Sequence, residues 1–521
     1  MAGLTAAAYL SRENFDVLLL DKNDRTGGLL STFEKKGFFF DSGPRAFVNS
    51  GIVRPMLKDL GIEGRFLENR ISIGIEDQLF QVNSMSDLQK YQQILQSLYP
   101  ESQADIEKII RLMRELSGYN QVLYEFDNPN FGNVLSDRSF VLRKLLPWTF
   151  KFLHALRKFD QFNTPMEEFV QRLSKNQSLI DVLIQHFFRN TPSYFALGYF
   201  YVYLDYFYPV GGTGVLESLL REKICNCGGK IQLNKQIVEV IPSASEVVDS
   251  EGGRYPYDQL IWAADLKTLY RSLNLVCLGP QTTRKIEREA QRVLASKGAE
   301  SVFIMYIAVN RAPSYFQENG GAHLFYTPSR QGLGERNKQE RLHLLENFEK
   351  TSKAEVLAWL EKYLQFNTFE VSIPALRDPH LAPEGQTGIM ISLLFDYDLV
   401  AKVQKAGWYE EFKETIENQI IAIFSDTIYK GMDQDVLFKF SSSPLTIHEI
   451  AGSSEGAITG WSFEAAPPVV NQLKNIPRSV MTPIPNVYQA GQWAYSPAGV
   501  PIAMLTGWYA VQDMMKKFKN R

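Results

Sequence analysis

The chain has 521 residues, 45% of them hydrophobic, with a formal net charge of -3. That length predicts more than one domain, and the near-neutral charge excludes the basic field of a nucleic-acid binder. No run reaches the roughly 18–20 apolar residues of a membrane span. Cys225, Cys227 and Cys277 match neither a disulfide framework nor a zinc spacing, so no metal is predicted, and a reducing, cytoplasmic compartment is.

Met1 to Leu10 has no basic start and is cut short by Arg12 and Glu13, unlike a secretory signal. Leu4, Ala7, Ala8 and Leu10 form the apolar face of a helix, and Val17 to Leu20 reads as a strand buried on both faces. A dinucleotide fingerprint places G-x-G-x-x-G after a strand, with an acid about 20 residues further on. Gly3 fits the third glycine and Asp21 the acid that accepts ribose hydroxyls, with the first strand and two glycines missing ahead of Met1. A surface acid after an ordinary strand explains Asp21 as well. Arg25, Gly27 and Gly28 then supply a turn where backbone and guanidinium meet phosphate, followed by a strand at Phe38–Phe40 and the run Asp41-Ser42-Gly43-Pro44.

Residues 86–160 are mostly helical and polar. Within them, Phe140 to Phe159 alternates Arg143, Lys144, Lys151, Arg157 and Lys158 with leucines and aromatics. Such a helix suits a membrane interface; a helix packed on its own core with a solvated basic face suits the pattern too. Tyr194, Phe195, Tyr199, Phe200, Tyr201, Tyr203, Tyr206 and Phe207 precede a Gly211–Gly212 turn and either line an apolar tunnel or fill a core. Strands are predicted at 231–233, 237–241, 260–263, 302–309, 389–394 and 487–490, a turn-rich stretch at 374–385, and a closing helix from about Pro501 to Lys516. Pro501 is set to begin that helix, whose free N–H groups would face Gly499 and Val500 and favour negative charge there. His186, His323, His380 and His448 are scattered, and no catalytic base is assigned.

The run Asp21…Arg25-Thr26-Gly27-Gly28…Phe40-Asp41-Ser42-Gly43 resembles the flavin-containing amine oxidase and phytoene desaturase superfamily. Thr482 to Trp493 with Gly499-Val500-Pro501, the Tyr208–Gly214 block and Leu381–Gly385 are similar to its phytoene desaturase, carotenoid isomerase and retinol saturase branch. The chain departs from that pattern in its truncated fingerprint and in Ser496-Pro497-Ala498-Gly499, where relatives often carry consecutive glycines. The resemblance spans residues 1 to about 515.

It implies an α/β fold with an α+β second domain. A Rossmann-like FAD-binding domain of glutathione-reductase type (residues 1–80, 210–275 and 480–521), its first strand truncated, is interleaved with a substrate domain (81–209 and 276–479). It implies FAD held by Gly3, Asp21, Lys22, Arg25, Gly27, Gly28, Asp41, Ser42, Ile237, Asp265, Gly491, Gln492, Gly499, Val500 and Pro501, with Ile237 near the adenine through its backbone. The implied activity is hydride transfer on an apolar polyene or isoprenoid, with peripheral membrane contact through residues 140–160. Two other readings stay open: an amine-oxidase or protoporphyrinogen-oxidase-like flavoenzyme, and a non-enzymatic binding protein like the GDP-dissociation inhibitors.

Overall fold

A computed structural model describes residues 1–124, 127–131, 138–496 and 498–519. The chain opens with α1 (Ala2–Arg12), β1 (Leu18–Leu20), β2 (Thr32–Lys35), β3 (Phe38–Asp41), β4 (Phe47–Val48), β5 (Phe66–Glu68), β6 (Ile71–Ile75) and β7 (Gln78–Val82). A helical stretch follows, including α2 (Gln103–Tyr124), α3 (Leu146–Gln161), α4 (Gln177–Ile184) and α5 (Ser193–Val202). Then come β8 (Tyr206–Pro209), α6 (Val215–Asn226), β9 (Lys230–Gln232), β10 (Ile237–Ile241), β11 (Glu246–Asp249), β12 (Arg254–Pro256), β13 (Leu260–Trp262) and α7 (Leu266–Arg271). The last part carries β14 (Ser301–Val309), β15 (His323–Thr327), α8 (Lys353–Phe366), β16 (Phe369–Ser372), β17 (Thr387–Phe395), α9 (Tyr409–Asp426), β18 (Val436–Ser442), β19 (Val487–Gln489) and α10 (Val500–Lys519).

Around α1, parallel strands occur as two separate pairs, β1 with β9 and β13 with β19. α1 packs beside both pairs and along α10. Among the described residues β1 is therefore hydrogen-bonded to a strand on one side only. Leu18 is 40% exposed and Leu19 and Leu20 half-buried, which corrects the expectation of a strand buried on both faces: an unpaired edge keeps solvent along it. β10, β11 and β12 form an antiparallel meander beside these pairs.

The other region is built on a seven-stranded sheet in the order β18-β14-β17-β16-β15-β6-β7. β14 and β17 pair antiparallel over nine residues each, Ser301 opposite Phe395 through Val309 opposite Thr387. Nearly every side chain of these two strands is buried, as befits central strands covered on both faces. α8 and α9 cover one face through Trp359, Leu360, Ile416, Ile420 and Phe424. β6 joins this sheet by pairing parallel with β15, so β6 and β7, most of which the sequence reading included in residues 1–80, hydrogen-bond into this sheet. The reason is non-local: β6 is selected by an edge some 250 residues away, which no local pattern announces.

Candidate functional site

Two of the glycines predicted from sequence, Gly3 and Gly491, lie at the N-terminus of α1. Ala2 lies against Gly491 and Gly507: a Cβ on Gly507 would stand 2.5 Å from the Ala2 carbonyl oxygen, and one on Gly491 3.4 Å from the Ala2 Cβ. Gly3 faces Ala263, just past β13, at 3.2 Å from a built Cβ. The Gly491 N–H donates to Thr506 Oγ1 at 2.9 Å, tying the end of β19 to α10. Thus the ends of β13 and β19 and the helices α1 and α10 meet at one place.

Asp21 ends β1, where its carboxylate accepts from the Asn23 N–H at 3.0 Å. Burial raises its pKa, and the Asn23 bond and the chain's amino group pull the other way. Glu217, in the first turn of α6, accepts from the Thr26 hydroxyl. Sequence reasoning missed it, although an acid in a helix's first turn three residues after a flagged glycine block was a legible signal. Gly27 has φ +101° and is locked, since a Cβ would meet Leu30 O at 2.5 Å and Glu217 Cγ at 3.0 Å. Gly28, at φ +63°, has nothing within 4 Å of a built Cβ. Arg25 is exposed beside it.

Asp41 stands apart from this open face. It is fully buried, and its Oδ1 accepts from the Thr32 hydroxyl at 2.7 Å, the Thr213 N–H at 2.8 Å and the Thr213 hydroxyl at 2.9 Å. Its Oδ2 accepts from the Tyr208 hydroxyl at 2.7 Å. Arg377 lies over the Tyr208 ring at 4.0 Å. Asp41 thus staples β3 to the Tyr208–Gly214 segment, and its side chain is spent on protein donors. Ser42 pairs with Ser31 at 2.7 Å in the same layer.

The remaining predicted residues spread further. Asp265 caps α7 through the Thr268 N–H at 2.8 Å and holds the Ser454 N–H at 2.8 Å. Lys22 donates to the Glu449 carbonyl at 2.8 Å. Ile237 begins β10, half-buried opposite Asp249. Gln492 donates to the Ala457 carbonyl at 3.3 Å. Gly499, Val500 and Pro501 open α10, with the Ala503 N–H bonding the Gly499 carbonyl at 3.0 Å. A Cβ on Gly499 would meet only Pro501, at 3.7 Å, so the entry to α10 has room beside it. Pro497 lies outside the described residues.

A small cavity sits between the seven-stranded sheet and the helices α2, α4 and α5. Ile73, Met113, Leu183, Phe187 and Phe325 are among its walls, together with Tyr199, Phe200 and Tyr203 of the predicted aromatic run. The rest of that run divides. Tyr206 bonds Tyr199, hydroxyl to hydroxyl, at 2.6 Å. Tyr194 packs on Phe159 at 5.0 Å, and Phe207 is buried in the other region's core. His186 lines the cavity with its pKa pushed down to about 4 by burial, against a weaker pull from Glu370. No charged side chain lines the cavity among the described residues. From the cavity, Phe325 stacks on His323 at 5.5 Å and His323 meets Tyr206 edge-on at 5.8 Å. β8 then runs from Tyr206 to Tyr208 and the Asp41 staple, joining the cavity to the glycine turns.

With this geometry in view, comparison with known proteins is informative. The model of one family, described as flavin containing amine oxidoreductase, matches residues 1–515. A 4,4'-diapolycopen-4-al dehydrogenase of Metabacillus indicus is 21% identical over all of this chain and 96% of that enzyme. A 4,4'-diapophytoene desaturase (4,4'-diaponeurosporene-forming) of Staphylococcus aureus (strain COL) is 22% identical over all of this chain and 98% of its own length. Among solved structures, a triple mutant of putrescine oxidase aligns with a TM-score of 0.61 at 12% identity, covering 99% of this chain and 97% of that one. An oxidoreductase from Methanosarcina mazei aligns with 0.59 at 14%, covering 99% and 98%. These structural likenesses share the fold.

Proposed function

The chain belongs to the flavin containing amine oxidoreductase family and is an FAD-dependent oxidoreductase, and from that premise we propose that its substrate is a long apolar polyene or isoprenoid. The bound flavin would supply a hydride acceptor or donor at its ring. The residues present suit such a group: Gly28 and Gly499 face open space, and the N-terminus of α1 lies near the half-buried carboxyl of Asp21. Gly27 and Gly28 would pass their backbone along the phosphates with Arg25 adding charge-assisted bonds, and Asp21 would accept from ribose. The start of α10, at Gly499 to Pro501, would favour negative charge on the flavin ring.

One observation carries the choice of substrate. The cavity walls are mostly apolar and aromatic, with Thr327, Thr368 and His186 as polar members, and bear no Asp, Glu, Lys or Arg among the described residues. An ammonium substrate buried there would have no carboxylate to offset its desolvation, whereas a hydrocarbon needs none. His186 stays neutral at physiological pH, which keeps the walls uncharged. The pairing of Tyr199 with Tyr206 turns two polar atoms toward each other. The chain's own part is to align the substrate and exclude water. The relatives agree in kind, since both named enzymes act on carotenoid-type compounds.

The test is anaerobic reduction of the bound flavin in the full-length holoenzyme, followed by absorbance, with diapophytoene in detergent as one probe and putrescine as the other. Bleaching by the polyene alone is the expected result. Bleaching by putrescine alone would replace this reading with amine oxidation.

A further inference from the structure

β16 lies inside the seven-stranded sheet, between β15 and β17. Its Glu370 stands opposite Phe325 of β15 and Ser392 of β17, and residues facing each other on paired strands point to the same side of a sheet. Phe325 walls the cavity, so Glu370 is on the cavity side, while its neighbours Phe369 and Val371 turn into the core beneath α8 and α9. A carboxylate there is costly unless it is held. Its Oε1 accepts from His323 Nε2 at 2.9 Å and its Oε2 from the Ser392 hydroxyl at 3.3 Å. With Nε2 donating, Nδ1 of a neutral imidazole accepts, and it meets the Asn69 amide nitrogen at 2.9 Å. Arg45 and Arg377 bring positive charge to the same carboxylate, and Arg377 also feels Asp41. Two guanidiniums thus offset two carboxylates, and an ammonium would find no net negative charge here.

Two features exceed what a buried ion pair needs. The Glu370 side chain keeps 33% exposure although its strand is flanked on both sides, while His323 keeps none. The carboxylate borders a space, and the imidazole behind it is sealed. Asn69 Oδ1, in turn, is buried with no hydrogen-bond partner among the described residues. Turned over, the amide would set that oxygen on His323 Nδ1, a bond that forms only when Nδ1 carries a proton. Asn69 can therefore bond the imidazole in either charge state, and the pair has room for one further proton. We propose that Glu370 is the base of the reaction, with His323 and Asn69 as positioning residues that hold its carboxylate and stabilise the proton it takes. The proposal rests on the polyene reading, in the direction that forms a double bond. Two C–H bonds on adjacent substrate carbons then break. One hydrogen leaves with its electron pair as hydride to the bound flavin. The other leaves as a proton to Glu370 Oε2, and its electron pair becomes the new π bond. Two electrons pass from substrate to flavin, and the carboxylate becomes a carboxylic acid.

Anaerobic flavin reduction by diapophytoene in the full-length holoenzyme, followed across pH, tests it. The rate should fall on the acid side, where Glu370 already holds a proton. Burial pushes this carboxyl up, but the His323 bond and the charges of His323 and Arg45 more than reverse that and leave it below its ordinary value. The other groups whose charge meets it are His186, Tyr199, Tyr203, Tyr206 and Arg377. E370Q should reduce its flavin at least about a hundredfold more slowly and without the acid limb. H323F should keep the limb but move it to higher pH, because the bond and charge that lower Glu370 are lost. A merely structural role would lower the thermal transition and flavin content and leave the limb in place. Infrared difference spectra of the substrate-free holoenzyme give a reading without turnover: a carboxyl band that grows in with acid, absent from E370Q and moved to higher pH in H323F. A wild type that diapophytoene leaves oxidised overturns the polyene reading and this proposal together. A wild type that is bleached, with E370Q as fast and on the same pH profile, overturns this proposal alone. Should E370Q fail to hold flavin, H323F decides, and a limb and band that stay where they are in wild type overturn it.

Discussion

The region around the glycine turns and the region around the seven-stranded sheet are held by different means. In the first, the parallel strands are three residues long and stand in separate pairs. Position there comes from close backbone approach at Gly27, Gly491 and Gly507 and from the Asp41 staple. In the second, strands of nine residues run through a continuous apolar core. Where a ligand must reach the backbone, there is little side chain to bury, and hydrogen bonds and tight turns do the positioning. Where a greasy cavity must be held open, dense packing beside it resists collapse.

The sharpest way to break this contrast is Asp41→Ala. Four donors from β2, β8 and the Thr213 turn would lose their acceptor inside the protein. Each buried donor left without an acceptor costs about 1–3 kcal/mol, and denaturant unfolding should show at least that loss together with reduced flavin content. Asp41→Asn keeps one acceptor oxygen but turns an amide donor on the remaining donors, and should fall between wild type and alanine. An unchanged midpoint for Asp41→Ala would mean that the staple is not what joins β3 to β8. Gly27→Ala comes next. The alanine would sit at φ +101° against Leu30 O, a strain of about 1–3 kcal/mol, and flavin content should drop by more than the stability loss explains. In the packed region, Ile391→Val deletes one buried methyl group from β17 and should cost about 0.5–1.5 kcal/mol while flavin binds stoichiometrically. Flavin loss in the valine variant would erase the distinction between the regions.

What could be read in the sequence follows the same division. Gly27, Gly28 and Gly491 were legible because tight backbone geometry restricts residue choice, and the long strands at 302–309 and 389–394 because fully buried strands spell continuous apolar runs. The placement of β6 and β7 was not, since their partner β15 arrives far later in the chain and strand pairing leaves no local mark. Asp41 read as a ligand residue because its donors, Thr32, Tyr208 and Thr213, are contributed by three segments whose convergence only the fold reveals. The aromatic run from Tyr194 was visible, but the switch from α5 to β8 decides which rings face the cavity. Tyr199 and Tyr203 do, while Phe207, on β8, turns into the other core.

A further expected effect is one of pH, and it tests whether the cavity side is dry. His186 holds its pKa near 4, below the ordinary 6.5, because burial disfavours the imidazolium. As pH falls past 6.5 the unfolded chain takes up this proton before the folded one, so stability is lost progressively down to about 4 and then levels. Asp205 opposes it across an overlapping window. Burial raises its carboxyl to about 6 despite bonds from the Ser50 and Asn49 N–H groups, so its contribution is complete below about 3.8 and is lost as pH rises through 6. The wild-type profile between pH 4 and 6.5 is thus a difference of two slopes. His186→Phe should remove the descending one, making the variant gain relative to wild type as pH drops from 7 to 5, read as the shift in urea midpoint at each pH. Asp205→Asn should act in reverse, gaining relative to wild type as pH rises from 5 to 7. A His186→Phe variant whose difference from wild type is the same at both pH values would show the imidazole titrating as it does in water, and the cavity would then be hydrated rather than sealed.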